Sequence, residues 1–376
     1  MSETAVCLQG APRIVGRLIG QAQKDSIASE LKRLWKAETA LRGPAEALRA
    51  LLEKEAPAWV AETQAMAEAA GVDPWAMFEL ASAPYTKPAY VSTGECTSAL
   101  AMGDVTSTGR PIVFKIRDER PKPQYVAIRH VDGSRRVLYG SNVLNLGVAY
   151  ALNDAGFAIA NNTGSPITDP EDAPGFDDCL LTRLLAEQCA TCEDAIARVA
   201  VLCRRGAVRG AGWRKGSILL MADATGQGAV VEIARREWSV LRMKKGFAAV
   251  ANHFIAPESR RFENAARLEE PPCRSSFVRR SRLEALMREA LARGPLPPAD
   301  FERFAADRAN HPFSLCNPTG VFPWRTLGAF VFVLGDKPAA RFCVGPASHA
   351  PFQSLAISDG LTPLALLRGA WPQGEA

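Results

Sequence analysis

The sequence has little histidine, no strong excess of one charge and no long apolar run, and each shortage removes a class of function. Four histidines occur in 376 residues, at positions 130, 253, 311 and 349, and they follow no metal-ligand spacing. Basic and acidic residues number 45 and 40 and are interspersed, so the net charge of +5 gives a weak field and no nucleic-acid footprint. Short basic clusters such as Arg204-Arg205, Lys244-Lys245 and Arg279-Arg280 lack interleaved aromatic platforms and read as solvated faces. No apolar run approaches the roughly 20 residues that span a bilayer. The start, "MSETAVCLQG", has neither the basic region nor the apolar core of a secretory signal. A cytoplasmic protein with no membrane or nucleic-acid partner is expected. A G-x-S-x-G elbow, a P-loop and a dinucleotide glycine fingerprint are all missing too.

What is present is an ordinary globular composition in a chain long enough for a large core. The nine cysteines are an odd number scattered along the chain, which suits free thiols in a reducing compartment. Cys189-Ala-Thr-Cys192 has redox or half-zinc spacing but stands alone at the junction of two expected helices, where cysteine is a common buried filler. No metal is expected.

The first ninety or so residues read as helices. Ile27, Leu31, Leu34 and Leu41 recur at helical spacing over 21–42, further helices open on proline near 44 and 57, and Asp73 caps another before Pro74. The pattern changes at Cys96. "CTSALAMG", "RPIVFKI", "YVAIRHV", "RRVLYG", "VAYALN" and "FAIANN" are short, β-rich and divided by turn signals, and they read as an antiparallel meander. Two helices are expected over 177–189 and 192–204, the second opened by Thr191 and Asp194. A second strand group ("SILLMAD", "GAVVEIA", "WSVLRM", "FAAVAN"), helices near 258–269, 277–293 and 298–309, and the closing strands "AFVFVLG" and "ARFCVG" complete a set that should form sheets covered by helices.

The chemistry centres on "GECTSA" at 94–99. A nucleophilic thiol needs a base, and no histidine lies within thirty residues of Cys96. An N-terminal α-amine titrates at about 7.7 to 8.0, so a cysteine that became the first residue of a chain would carry its own base. That requires a cut between Glu95 and Cys96, which the thiol itself is placed to make.

"GECTSA" with its hairpin, "GRPIVFKIRD", "ALNDAGFAIANN" and "VANHFIAPESRRFENAARLE" together resemble the N-terminal nucleophile hydrolases of the acyl-coenzyme A:6-aminopenicillanic acid acyltransferase type, relatives of acid ceramidase and the choloylglycine hydrolases. The lead stretches "GRLIGQAQKDSIASELKRLW" and "GVDPWAMFELASAPY" are similar to that family's helical propeptide. The resemblance implies an α+β fold, a four-layer αββα sandwich, cut into a helical propeptide or α chain (1–95) and a catalytic β chain (96–376) that remain associated. It implies that Cys96 cleaves the Glu95–Cys96 bond and then forms a thioester with an acyl amide or acyl-CoA thioester, passing the acyl group to water or an amine without any cofactor. Asp118 would hold the new α-amine, and Asn252 would supply an oxyanion-hole amide. Asn162, with Asn161 as the alternative, would lie near the oxyanion, and Thr97 and Lys115 would face the substrate, Lys115 standing where relatives often carry arginine. His253, alternating away from Asn252, would have a supporting role.

Two places depart from the family pattern: Glu95 replaces the glycine of the penicillin acyltransferase, and "HPFSLCNPTGVFPWRTLGAF" matches loosely. Two rivals stand beside this reading. One is a papain-like thiol hydrolase with an uncut chain; the other is a non-catalytic binding protein on the same fold. Oligomeric state is left open.

Overall fold

The computed structural model describes residues 5–35, 41–86, 95–119, 124–142, 146–168, 175–211, 214–318 and 325–358. Gly94 of the quoted "GECTSA", and 319–324 of the loosely matching loop, lie outside them.

Among the described residues the lead segment is helical but for one strand that its pattern did not announce, β1 (Ala5–Gly10), which joins a sheet in parallel with β4 (Gln124–Val131). Helices α1 (Pro12–Ala22), α2 (Lys24–Trp35), α3 (Arg42–Glu55), α4 (Pro57–Ala70) and α5 (Pro74–Thr86) follow. Within the stretch 21–42 expected as one helix, α1 ends at Ala22 and α2 runs from Lys24 to Trp35, and 36–40 lie outside the described residues. Proline opens α1, α4 and α5, where its missing N–H costs nothing. Asp73 caps α5 by accepting from the Trp75 N–H at 2.8 Å. Helices α1 and α4 cross in near contact. A Cβ on Gly16 or Gly20 would lie 2.1 or 2.2 Å from the carbonyl oxygens of Glu62 and Met66, so only glycine fits.

The expected meander proves to be two structures. Strands β2 (Glu95–Ala101) and β3 (Ile112–Glu119) form a hairpin in a six-stranded sheet. Strands β4, β5 (Val137–Asn142), β6 (Tyr150–Asn153) and β7 (Ala158–Pro166) form the meander of an eight-stranded sheet. Helices α6 (Asp178–Gln188) and α7 (Cys192–Arg204) come next, and Thr191 and Asp194 complete a reciprocal capping box on α7.

Strands β8 (Lys215–Ala222), β9 (Gly228–Ala234) and β10 (Glu237–Met243) extend the larger sheet, whereas β11 (Phe247–Val250) crosses to the edge of the smaller one beside β2. The short helices α8 (Pro257–Arg260) and α9 (Ala265–Leu268) lead to α10 (Pro271–Leu291) and α11 (Pro298–Ala305). Strands β12 (Arg325–Val333), β13 (Ala339–Val344) and β14 (Gln353–Ala356) close the smaller sheet; β14 was not expected.

Three apolar layers fix the order. One joins α1 to α7 with the outer face of the larger sheet, through residues such as Trp59, Phe78, Leu184 and Ile159. A second lies between the sheets, where Leu100, Val113, Ile128, Leu220 and Phe330 meet. The third joins the smaller sheet to α10 and α11 through Phe114, Val331, Leu283 and Phe301. The fold is α+β, with helices, sheet, sheet and helices stacked in that order.

Candidate active site

Strand alternation assigns the side chains of β2 and β3 to two faces. Leu100 and Val113 belong to the layer between the sheets, so Cys96, Ser98, Lys115 and Arg117 face that space. Ala99, Phe114 and Ile116 belong to the layer under α10, which puts Glu95, Thr97 and Asp118 on that side. Cys96 is buried at 8% exposure, with Arg117 as its register partner.

Asn252 follows directly where β11 ends and continues alongside β2. Its Oδ1 accepts from the Cys96 backbone N–H at 2.9 Å, and its Nδ2 donates to the Thr163 carbonyl at 2.8 Å. The resemblance implies an oxyanion-hole amide at Asn252; in the uncut chain its carboxamide oxygen takes over the ladder's next acceptor position and holds the Cys96 nitrogen. Asn162 is also fully engaged. It accepts from Ser98 Oγ at 2.7 Å and Lys115 Nζ at 3.3 Å, and donates to the Ala251 carbonyl at 2.9 Å. Asn161 points the other way, to Thr182 of α6 at 3.0 Å.

Lys115 is buried against the Asn161 carbonyl and Asn162, and the cation directly beside Cys96 is Arg117. Arg117 Nη2 pairs with Glu119 at 2.6 Å, while Nη1 is buried without a partner. Thr97, expected to touch substrate, instead accepts from Arg279 on the α10 side at 2.6 Å. Asp118 also lies there, across from Glu95, with Oδ1 buried and unpartnered. Burial, with Glu95 adding to it and Arg279 opposing, pushes the Asp118 carboxyl up to about 7.

Arg279 is the main residue that sequence reasoning missed. Expected on a solvated face, it is 0% exposed. Its Nη1 donates to the Cys96 carbonyl at 2.7 Å and to Thr97, its Nη2 donates to Asn252 Oδ1 at 2.8 Å, and its Nε lies 3.3 Å from Glu95 Oε2. One guanidinium therefore touches the residue before the expected cut, the cysteine after it, and the asparagine that holds the nitrogen. A signal for it existed, because Ser276, Arg279, Leu283, Met287 and Ala290 are all buried at helical spacing along α10.

Ser276 Oγ accepts from the Asn252 backbone N–H at 2.7 Å and lies 2.7 Å from His253 Nδ1. Burial, and then the charges of Arg280, Arg279 and Arg260, push His253 down to about 3, so it stays neutral and supports Asn252 through Ser276. The other three histidines are exposed.

Among the described residues one trio, Asp177, Asp178 and Cys179 at the start of α6, has metal-capable atoms within 4.8 Å of one another. Asp177 there caps the helix by accepting from the Leu180 N–H at 2.6 Å. Cys189 and Cys192 are buried free thiols, and the Cys192 N–H binds Asp223 at 2.8 Å.

The model of the family described as acyl-coenzyme A:6-aminopenicillanic acid acyl-transferase matches residues 137–344, more than half of the chain. The chain belongs to that acyl-transferase family. The match takes in Asn162, Asn252 and Arg279 of this acyl-transferase family member and begins after Cys96 and Asp118.

Similar solved structures include a cysteine-to-alanine mutant of conjugated bile acid hydrolase from Clostridium perfringens, at 11% identity over 70% of this chain and 92% of that one, with a TM-score of 0.42. Penicillin V acylase from Agrobacterium tumefaciens is 12% identical over 69% and 86%, with a TM-score of 0.37. A Caenorhabditis elegans ortholog of N-acylethanolamine-hydrolyzing acid amidase is 12% identical over 63% and 92%, with a TM-score of 0.39. These likenesses are too weak to bear on the site. No curated protein matches the chain significantly in sequence. Among the described residues no helix is long and apolar enough to cross a membrane.

Proposed function

We propose that this acyl-transferase family member is a self-processing cysteine hydrolase or acyltransferase whose nucleophile is Cys96. The thiol attacks the Glu95 carbonyl carbon; a C–S bond forms, the C–N bond breaks, and the thiol proton passes to the departing nitrogen. Water then hydrolyses the thioester, frees the thiol and leaves the α-amine of Cys96 as its base. In each later cycle the thiol takes an acyl group from a small amide or thioester, acyl-CoA included, and passes it to water or an amine.

The observation that carries this reading is the grip on Cys96: Asn252 Oδ1 holds its nitrogen at 2.9 Å and Arg279 holds its carbonyl at 2.7 Å. Both groups would still hold the residue after the chain is cut. Lys115 and Asn162 are then positioning residues that seat Ser98 next to the nucleophile, and Asp118 keeps a carboxyl close to Glu95 and Arg279. The 1–95 piece would stay bound, because β1 is paired into the larger sheet and Glu62 of α4 is buried against Arg129 and Arg183.

Intact-mass spectrometry and denaturing electrophoresis test the reading. Purified protein should show fragments 1–95 and 96–376, and Cys96→Ala should remain one chain with no turnover. A single uncut wild-type chain that turns over amides would favour the papain-like alternative, though His253 is neutral and bound to Ser276. A Cys96 no more reactive toward an acyl probe than the other thiols would favour a binding protein.

A further inference from the structure

Glu95 is an odd residue to bury. At 6% exposure its carboxylate lies between Ser275 Oγ at 2.8 Å and Arg279 Nε at 3.3 Å, and its other oxygen, Oε1, has no partner. A guanidinium and a hydroxyl thus hold the side chain of the residue whose carbonyl the proposed cut would free.

The proposed self-processing makes a specific intermediate, a thioester between Cys96 Sγ and the Glu95 acyl group. It is the first acyl-enzyme the protein would form. In it the Glu95 side-chain carboxylate is separated from the reacting carbonyl by three carbons, the skeleton of a glutaryl group. Hydrolysis then gives Glu95 a free end, and its withdrawal from this place leaves Arg279 without the carboxylate it had in the precursor. A buried cation left unpaired is costly, so the vacated place favours another anion.

Resting on the function proposed above, we infer that the place between Ser275 and Arg279, filled by the Glu95 carboxylate in the uncut chain, is the subsite for a second carboxylate on the substrate's acyl group. The substrates are accordingly monoamides or thioesters of short dicarboxylic acids of about the length of glutaric acid. Asp118 faces the same pocket, and it tolerates an anion there because burial favours its protonated form up to about pH 7. Arg279 joins the two halves of the site, since the guanidinium that would hold the carboxylate also holds the Cys96 carbonyl.

The processed enzyme is assayed on the anilides of glutaric and pentanoic acids, which match in length and differ in the charge. The glutaryl anilide should be preferred about 10- to 100-fold in kcat/KM, equal to roughly 1.4–2.8 kcal/mol, and Ser275→Ala should cut that preference several-fold. Equal rates, or a preference that Ser275→Ala leaves unchanged, overturns the inference. Calorimetry with glutarate gives a readout without turnover: the processed enzyme should bind it, and the Cys96→Ala chain, whose pocket keeps Glu95, should not. Binding to both or to neither also overturns it. A wild-type chain that is never cut sinks the underlying function, whereas one that is cut and active on the pentanoyl anilide but indifferent to the extra carboxylate sinks only the subsite.

Discussion

Two buried arginine–carboxylate networks lie on opposite sides of the sandwich, and they differ in how completely they are satisfied. Under the lead helices, Glu62 meets Arg129 at 3.0 Å and Arg183 at 2.9 Å, and Glu187 meets Arg183 at 2.9 Å, Arg129 at 3.1 Å and the Trp59 N–H at 2.7 Å. Two acids balance two bases, both carboxylates use both oxygens, and only Arg129 Nε, in ion-pair contact with Glu187, lacks a hydrogen bond. Around Cys96, Glu95 Oε1, Asp118 Oδ1 and Arg117 Nη1 are buried with nothing to bind. A nearly closed network of this kind fixes one structure; several idle donors and acceptors beside a thiol keep a cost that only chemistry or a ligand relieves.

The largest effect should come from breaking the closed network. Glu62→Ala leaves Arg129 and Arg183 sharing a single carboxylate in the interior, and removing one partner of a buried pair costs about 3–5 kcal/mol. Denaturant midpoints would measure it, while the fraction of chain that folds should still be cut before Cys96. Burial would raise the Glu62 carboxyl, but Arg129 and Arg183 outweigh it and hold the pKa below the ordinary 4.5. Its contribution is therefore complete above that value and is lost as pH falls through the lowered pKa.

Arg279→Lys tests the open network. Lysine keeps the charge but cannot reach the Cys96 carbonyl, Thr97, Asn252 and Glu95 at once. By analogy with the loss of a donor that stabilises developing charge, self-cutting should slow by about 100-fold, followed as a time course of fragment appearance. Wild-type cutting in that variant would mean that the guanidinium only braces α10 against the sheet.

The layers were legible in the sequence where the signal is local. Proline at 57 and 74, the Asp73 cap and the Thr191–Asp194 box each act within a few residues, and each produced the helix it implied. What stayed hidden needed distant partners. "FAAVAN" reads like the strand before it, yet it crosses to the other sheet, because only the packing beside β2 distinguishes the two. Asn252 was legible as a candidate, but the contact of its carboxamide oxygen with the Cys96 N–H was not, since that depends on where β11 stops. Arg279 was misread because its charge suggested solvent while its spacing with Leu283 and Met287 placed it inside.

The smallest effect, and the one most particular to the open network, concerns Asp118. Its ordinary pKa is 3.8 and burial pushes it up to about 7, so between those values the folded chain holds a proton that the unfolded chain has released. Stability contributed by this group therefore falls as pH rises from 3.8 to 7 and is fully lost above 7. Asp118→Asn keeps the neutral shape and removes that dependence, so the thermal midpoint of Asp118→Asn should gain on the wild type as pH is raised from 5 to 8. His253 imposes the reverse slope: with its pKa lowered from 6.5 to about 3, it costs stability as pH falls below 6.5. Because both chains carry His253, its slope cancels in the difference between them. A constant difference across the range would mean that Asp118 is already ionised in the folded chain, held charged by Arg279 and Lys115 in spite of its burial.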